Sequence, residues 1–312
     1  MKTQILNAEP EGYSQTARDV LDSFADVHEW PVTQKELPQA ARFFDALIVR
    51  LNLRVTDNVF ETSALSVVAT ATTGLDHIDL KAAAARDIDV VSLQGETEFL
   101  QTVPASAEHT WALMMALLRR VPWAFDDVKA GGWNRDKFRG HDLSGMRLGI
   151  IGRGRVGSKV ARYALAFDME VKTYDPHLGT DSRSKHWECG SLEELLLFSD
   201  IVTVHVPLND ETENMLDRDM LSILAPGSYL LNTSRGAIVN ESALVGALES
   251  GRLAGAAIDV LSVEPPDHHA LAIGYARAHD NLLITPHLAG ATVESMGRTE
   301  VFIAEKLRKM FA

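Results

Sequence analysis

The chain has 312 residues, 46% hydrophobic and 23% charged, with 30 Lys and Arg against 43 Asp and Glu for a formal net charge of −13. That balance disfavours a sequence-independent grip on nucleic acid, which needs clustered Lys and Arg. No run of about 18 uninterrupted apolar residues occurs, so no membrane span is expected. The N-terminal MKTQILNAEPEGYSQ lacks the apolar run of a signal peptide, and the cytoplasm is the expected location. The single cysteine, Cys189, allows no internal disulfide and reads as a small buried apolar side chain. The length fits two domains.

In chain order, residues 46–50 (ALIVR), 66–71 (SVVATA) and 88–93 (IDVVSL) are short, apolar and β-branched, and read as buried strands. Residues 57–65 and 78–86 between them read as helices. Residues 104–120 (PASAEHTWALMMALLRR) form a long Ala/Leu/Met helix with Pro near its start and Arg at its end. His109 and Thr110 lie on it, and His109 is taken as a packing residue. Gly131, Gly132, Trp133 and Gly140 then mark an irregular stretch. A second alternation follows, with strands at 148–151, 171–174, 201–206, 228–232, 254–260 and 282–285. Ser191 and Glu194 read as a capping box, and Asn240 and Gly251 as the N-cap and C′ residues of another helix. An amphipathic helix over about 292–310 closes the chain. Alternating strands and helices predict two α/β units built on parallel sheets, with the last helix packing back on the first unit.

Residues 152–157 (GRGRVG) are G-x-G-x-x-G, preceded by the strand RLGII and opening the helix VGSKVARYALAF. Gly152 permits the tight turn, Gly154 a close approach of backbone to a pyrophosphate, and Gly157 close helix–sheet packing. A helix N-terminus beside them favours an anion. Asp175 ends the next strand, 18 residues beyond Gly157. A carboxylate there accepts hydrogen bonds from the ribose hydroxyls of NAD and repels the 2′-phosphate of NADP; Pro176 and His177, not Arg, follow it. NAD is therefore the expected cofactor. Three further strand ends carry polar residues: 232–236 (NTSRG), 259–265 (DVLSVEP) and 285–290 (TPHLAG).

With GRGRVG, HVPLNDET, LNTSRGAIV, GAAIDVLSVEP and TPHLAGAT in that order and spacing, the chain resembles the D-isomer-specific 2-hydroxyacid dehydrogenases, which include D-3-phosphoglycerate dehydrogenases. The resemblance covers almost the whole length. It implies a Rossmann NAD-binding domain of residues 100–289 inserted in a flavodoxin-like substrate-binding domain of 1–99 and 290–312, both doubly wound. It implies hydride exchange with the C2 carbon of a small anionic D-2-hydroxy or 2-keto acid, with the family's Arg, Glu and His falling on Arg235, Glu264 and His287. The chemistry of the side chains agrees. Arg235 offers a fork of donors for a carboxylate and its neighbouring carbonyl. His287 can exchange a proton with the substrate oxygen, and Glu264 can orient the imidazole.

The resemblance further implies a cofactor pocket formed by Gly152, Gly154, Arg155, Val156, Gly157, Asp175, Pro176, His205, Val206, Pro207, Thr212, Thr233, Ser234 and Gly290, with Asp259 at the nicotinamide carboxamide. Two loops of the first domain, Arg50-Leu51-Asn52-Leu53 and Thr73-Gly74 with His77, are expected to hold the substrate, largely through backbone N–H groups. The commoner family loop has Ser and Thr where Leu51 and Leu53 stand, which leaves the substrate's identity, and whether it carries a phosphate, open. Arg50 and Arg54 are candidates for a second anionic group. A homodimer built on the cofactor domain is expected, as is a short form without a regulatory domain. His268, His269, His279 and His287 accompany no HExxH or CxxC pattern, so no metal is expected. Two rivals remain on the same scaffold. One is a formate or phosphite dehydrogenase, the former disfavoured by Glu264. The other is an NAD(H)-sensing, corepressor-like binding protein, disfavoured by the intact Arg, Glu and His.

Overall fold

The structure is a computed structural model and describes residues 2–61, 63–177, 187–267 and 269–311. The chain forms two compact units, Met1–Val103 with Ala291–Ala312, and Pro104–Gly290. His268 lies outside the described residues.

The first unit alternates strands β1 (Thr3–Asn7), β2 (Ala25–Glu29), β3 (Ala46–Val49), β4 (Val67–Thr70) and β5 (Asp89–Val91) with helices α1 (Gln15–Asp22), α2 (Leu37–Ala40), α3 (Asp57–Glu61), α4 (Leu80–Ala84) and α5 (Thr97–Gln101). The sheet is parallel throughout, in the order β2-β1-β3-β4-β5. Alternate side chains feed two cores, one on each face. Leu6, Leu47, Val49 and Val68 pack with Val59 and Phe60 of α3. Ile5, Ala46, Ile48, Val67 and Ala69 pack with Ala17 and Leu21 of α1. Full burial of such a side chain contributes about 1.5–3 kcal/mol, and β3 and β4 are buried at every position.

β1, α1 and β2 are absent from the elements read in the sequence. β1 has only Ile5 and Leu6 as a pair of aliphatic residues, one for each core. β2 (ADVHE) is an edge strand with most of its side chains partly or fully exposed, so its apolar signal is weak.

The second unit opens with α6 (Ala105–Leu118) and α7 (Val121–Lys129). The predicted long helix thus breaks before residue 120, and the stretch expected to be irregular begins as a helix. The break is Arg120, left-handed at φ 53°, with Pro122 in the first turn beyond it. Strands β6 (Arg147–Ile151), β7 (Glu170–Tyr174), β8 (Ile201–Val204), β9 (Ser228–Asn232), β10 (Leu253–Ile258) and β11 (Leu282–Ile284) follow. With them run α8 (Arg155–Ala166), α9 (Leu192–Phe198), α10 (Arg218–Ile223), α11 (Glu241–Glu249) and α12 (Leu271–Ala278). Their sheet is parallel, ordered β11-β10-β9-β8-β6-β7, and a single bridge from Glu188 to Thr173 extends it beyond β7. Strand order reverses beside β6, which puts its turn into α8 where nucleotides bind in such sheets. Ser191 Oγ accepts the Glu194 N–H at 3.2 Å and Asn240 Oδ1 that of Ala243 at 3.0 Å, as the cap signals predict.

The last helix, α13 (Val293–Phe311), belongs to the first unit. Ile303, Ala304 and Leu307 are buried with Ala17 and Leu21, and Glu300 accepts the Ser14 N–H at 2.7 Å. Among the described residues no helix is long and apolar enough to cross a membrane, and no cluster of three His, Cys, Asp or Glu could hold a metal.

Candidate active site

The turn between β6 and α8 needs its glycines for separate reasons. Gly152 has φ 87°, and a Cβ there would lie 2.6 Å from the His205 carbonyl oxygen. A Cβ on Gly157 would lie 2.1 Å from the Gly152 carbonyl oxygen. One on Gly154 would meet nothing within 4 Å, so the front of the turn is open where a phosphate needs to come close. The first turn of α8 directs backbone N–H groups toward that space. Asp175 flanks it: Oδ2 accepts the Arg153 N–H at 2.9 Å and Oδ1 that of His177 at 3.1 Å. Arg153 is paired with Glu188 at 3.0 Å, and burial lowers the pKa of Arg155. Open glycine turn, helix N-terminus and acceptor carboxylate together fit a dinucleotide.

The loop after β8 forms the next wall. Burial pushes the His205 imidazole down to about 3, so the ring is neutral, and Nε2 lies 2.9 Å from Thr203 Oγ1. Thr212 closes this loop, its hydroxyl donating to the Pro207 carbonyl at 2.7 Å. Ser234 Oγ donates to the Val206 carbonyl at 2.7 Å, tying the loop after β9 to it, and Thr233 Oγ1 lies 2.7 Å from Thr110 Oγ1.

Arg235 follows directly. Its Nη1 donates to the Ser234 carbonyl at 2.8 Å, and its own carbonyl accepts Asn232 Nδ2 at 2.9 Å. Gly236 lies so close to Leu261 that a Cβ would sit 2.0 Å from that residue's carbonyl carbon. The Arg235 loop is thereby seated against the loop that carries Glu264. One Glu264 oxygen accepts the Leu261 N–H at 2.8 Å and the other lies 2.6 Å from His287 Nδ1.

Asp259, 1% exposed, organises the edge beneath. It accepts the Leu288 N–H at 2.8 Å, the Ala289 N–H at 2.7 Å and the Thr285 hydroxyl at 2.5 Å. Its Oδ1 also lies 3.2 Å from His109 Nε2, which is 3.1 Å from Thr285 Oγ1. His109 is therefore not a packing residue but part of a polar network. Its position on an apolar helix hid that, and only Asp259 and Thr285, far along the chain, reveal it. Burial alone would raise the Asp259 carboxyl; the bonds from His109, Thr285, Leu288 and Ala289 outweigh it and hold the group below its ordinary value. Gly290 ends the segment, exposed.

In the first unit, Leu51, Asn52 and Thr73 are exposed, whereas Leu53 and His77 are buried. Thr72 Oγ1 donates to the Gly74 carbonyl at 2.8 Å, and the His77 carbonyl accepts the Val55 N–H at 2.7 Å. Arg54 Nη2 donates to the Asp76 carbonyl at 3.2 Å, joining the two loops.

A parallel sheet with a glycine turn at its reversal point, and a His–carboxylate pair beyond the carboxyl ends of other strands of that sheet, define a nucleotide-binding α/β unit fitted for acid–base chemistry. Residues 111–289 match the model of the D-isomer specific 2-hydroxyacid dehydrogenase NAD-binding domain, and the chain belongs to that family. Its cofactor is NAD. The chain is 38% identical over 267 residues to D-3-phosphoglycerate dehydrogenase of Bacillus subtilis, covering 85% of this chain and 49% of that one. The chain spans about half the length of the curated relatives it matches. Among solved structures it is similar to the TT0316 protein from Thermus thermophilus, with a TM-score of 0.85, 33% identity and coverage of 98% and 96% of the two chains. D-lactate dehydrogenase from Aquifex aeolicus, solved with NAD and lactic acid, gives a TM-score of 0.83 at 27% identity, covering 98% of this chain and 95% of that one.

Proposed function

We propose that the chain is an NAD-dependent dehydrogenase interconverting a small D-2-hydroxy acid and its 2-keto acid. The contact that carries this reading is His287 Nδ1 to Glu264 Oε2, 2.6 Å, in the unit that also holds the glycine turn. NAD bound there supplies or accepts the hydride at C2. Gly152, Gly154, Arg155, Val156 and Gly157 hold the pyrophosphate, and Asp175, with Pro176 beside it, receives the ribose hydroxyls. His205, Val206, Pro207, Thr212, Thr233, Ser234 and Gly290 line the pocket, and Asp259 holds the nicotinamide carboxamide.

Arg235 binds the carboxylate of the acid and draws electron density from the reacting carbonyl. Glu264 occupies Nδ1 of His287, which leaves Nε2 as the atom that gives the proton in reduction and takes it in oxidation. The unit comprising Met1–Val103 and Ala291–Ala312 serves as the substrate-binding domain, through the segment of Thr73, Gly74 and His77, with residues 50–53 in the adjoining loop. A homodimer through the second unit is supported by Val121, Phe125, Val128 and Trp133, which are 54%, 62%, 50% and 89% exposed.

The test follows NADH and NADPH oxidation with glyoxylate, hydroxypyruvate, pyruvate, phenylpyruvate, oxaloacetate and phosphorylated keto acids, with sedimentation for the dimer. Turnover of at least one keto acid with NADH is the expected result. Tight NADH binding without turnover of any would replace the enzyme with an NAD(H)-sensing protein.

A further inference from the structure

In a sheet ordered β2-β1-β3-β4-β5 the strand order reverses between β1 and β3, and ligands enter such sheets at that point, beyond the carboxyl ends of the strands. In this chain the position is held from within. Glu9, just past the end of β1, lays its carboxylate across the loop that follows β3. Oε2 accepts the Arg50 N–H at 2.5 Å and Oε1 the Asn52 N–H at 3.1 Å. These are backbone donors of the loop expected to receive the substrate.

The Arg50 side chain is engaged as well. Its Nη1 donates to the Glu11 carbonyl at 2.7 Å and its Nη2 reaches Met296 Sδ at 3.5 Å. The buried Glu300 carboxylate lies within electrostatic reach of that guanidinium. Leucines flank Asn52, so the loop has no hydroxyl at either position to replace the two amides.

We propose that Glu9 is an internal anion that closes the Arg50 and Asn52 amides to the substrate, and that it selects against 2-keto acids carrying a second anionic group such as phosphate. The part concerning substrates rests on the dehydrogenase reading above; the closing of the amides rests on the Glu9 contacts alone. A phosphate entering here displaces a carboxylate from two good donors and then sits beside it, and like charges a few ångströms apart in a partly buried site repel strongly. An unphosphorylated keto acid brings a single carboxylate and no second anion to meet that repulsion.

The test compares the parent with Glu9→Gln, which keeps the shape and one acceptor, and Glu9→Ala, which opens the site. Inorganic phosphate is titrated while the Arg50 and Asn52 amide resonances are followed. In parallel, kcat and KM are measured for a three-carbon 2-keto acid and its phosphorylated form. We expect the parent amides to stay unmoved at phosphate concentrations that shift them in both variants. The preference for the phosphorylated acid should rise by about tenfold or more in the variants, through KM with kcat retained. Parent amides that respond to phosphate as the variants do, or variants that lose both substrates equally, overturn the proposal. A parent that binds NADH but turns over no keto acid defeats the dehydrogenase reading, and the phosphate titration still decides the role of Glu9.

Discussion

His287 sits on a left-handed backbone, φ 55°, with its Nδ1 2.6 Å from Oε2 of Glu264. A non-glycine residue in that region carries a conformational cost. It is held there by its own N–H, which donates to the Asp259 carbonyl at 2.9 Å, and by the next two N–H groups, which go to the Asp259 side chain. The backbone of this segment is thus fixed independently of the imidazole. His287→Ala should therefore fold normally and bind NADH with a dissociation constant within about twofold of the parent, while kcat falls by about 10²–10⁴. Steady-state kinetics and a fluorescence titration with NADH check both halves. Parental turnover in this variant would remove His287 from the chemistry.

Glu264→Gln separates orientation from charge. The Gln carbonyl can still accept from Leu261, so the loop should keep its stability to within about 1 kcal/mol. The imidazole loses its anionic partner, and kcat is expected to fall by about tenfold or more with KM little changed. A loss of stability as large as the loss of rate, read by thermal denaturation, would make Glu264 a structural residue only.

The glycine turn permits a test that divides packing from binding. Gly154→Ala adds a methyl to open space, so stability should stay within about 0.5 kcal/mol while NADH affinity falls by about tenfold or more. Gly157→Ala drives a methyl to 2.1 Å from the Gly152 carbonyl oxygen, so α8 must shift and stability should drop by about 1–3 kcal/mol. Thermal melts with and without NADH distinguish the two. Equal behaviour of both variants would contradict the division.

Much of this was legible from local chemistry. The turn Gly152 to Gly157 is a contiguous signal, and the sheet edge to which it belongs follows from strand–helix alternation alone. The Arg235, Glu264 and His287 segments could be recognised because each follows a short apolar strand. What escaped was carried by single residues whose partners are distant in sequence. His109 meets Asp259 and Thr285 across 150 and 176 positions, and Glu9 meets the Arg50 amide across 41. Nothing within a window around either residue encodes those contacts. β2 was missed for a different reason: an edge strand needs little apolar surface, so its periodicity is faint.

Asp175 is expected to set the choice between cofactors. Both its oxygens already accept one backbone N–H, which fixes the carboxylate beside the turn with lone pairs to spare. Asp175→Ser removes the charge that a 2′-phosphate would meet. The ratio of kcat/KM for NADPH to that for NADH should rise by about tenfold or more, mostly through KM. An unchanged ratio would place cofactor selection elsewhere.

Acid should destabilise the second unit in two windows, with His205 acting in the higher and Asp259 in the lower. His205 has an ordinary value of 6.5 and is pushed down by burial to about 3 in the folded chain. Its unfolded state therefore binds the proton first. The stability it contributes is complete above about pH 6.5 and drains away as pH falls toward 3, at no more than about 1.4 kcal/mol per pH unit. His205→Gln should flatten that limb. Asp259 is also held below its ordinary value of 3.8, burial being outweighed by the hydrogen bonds from His109, Thr285, Leu288 and Ala289. Its contribution is present above about pH 4 and is lost only as pH falls through the lower folded value. Asp259→Asn removes the charge and turns an amide N–H toward backbone donors. It should cost about 2–3 kcal/mol already at neutral pH, with a shallower loss below pH 4. Urea unfolding between pH 3 and 8 reads both variants. A parental pH dependence retained in His205→Gln would mean that another group, not this half-buried imidazole, takes up the proton between pH 6.5 and 4.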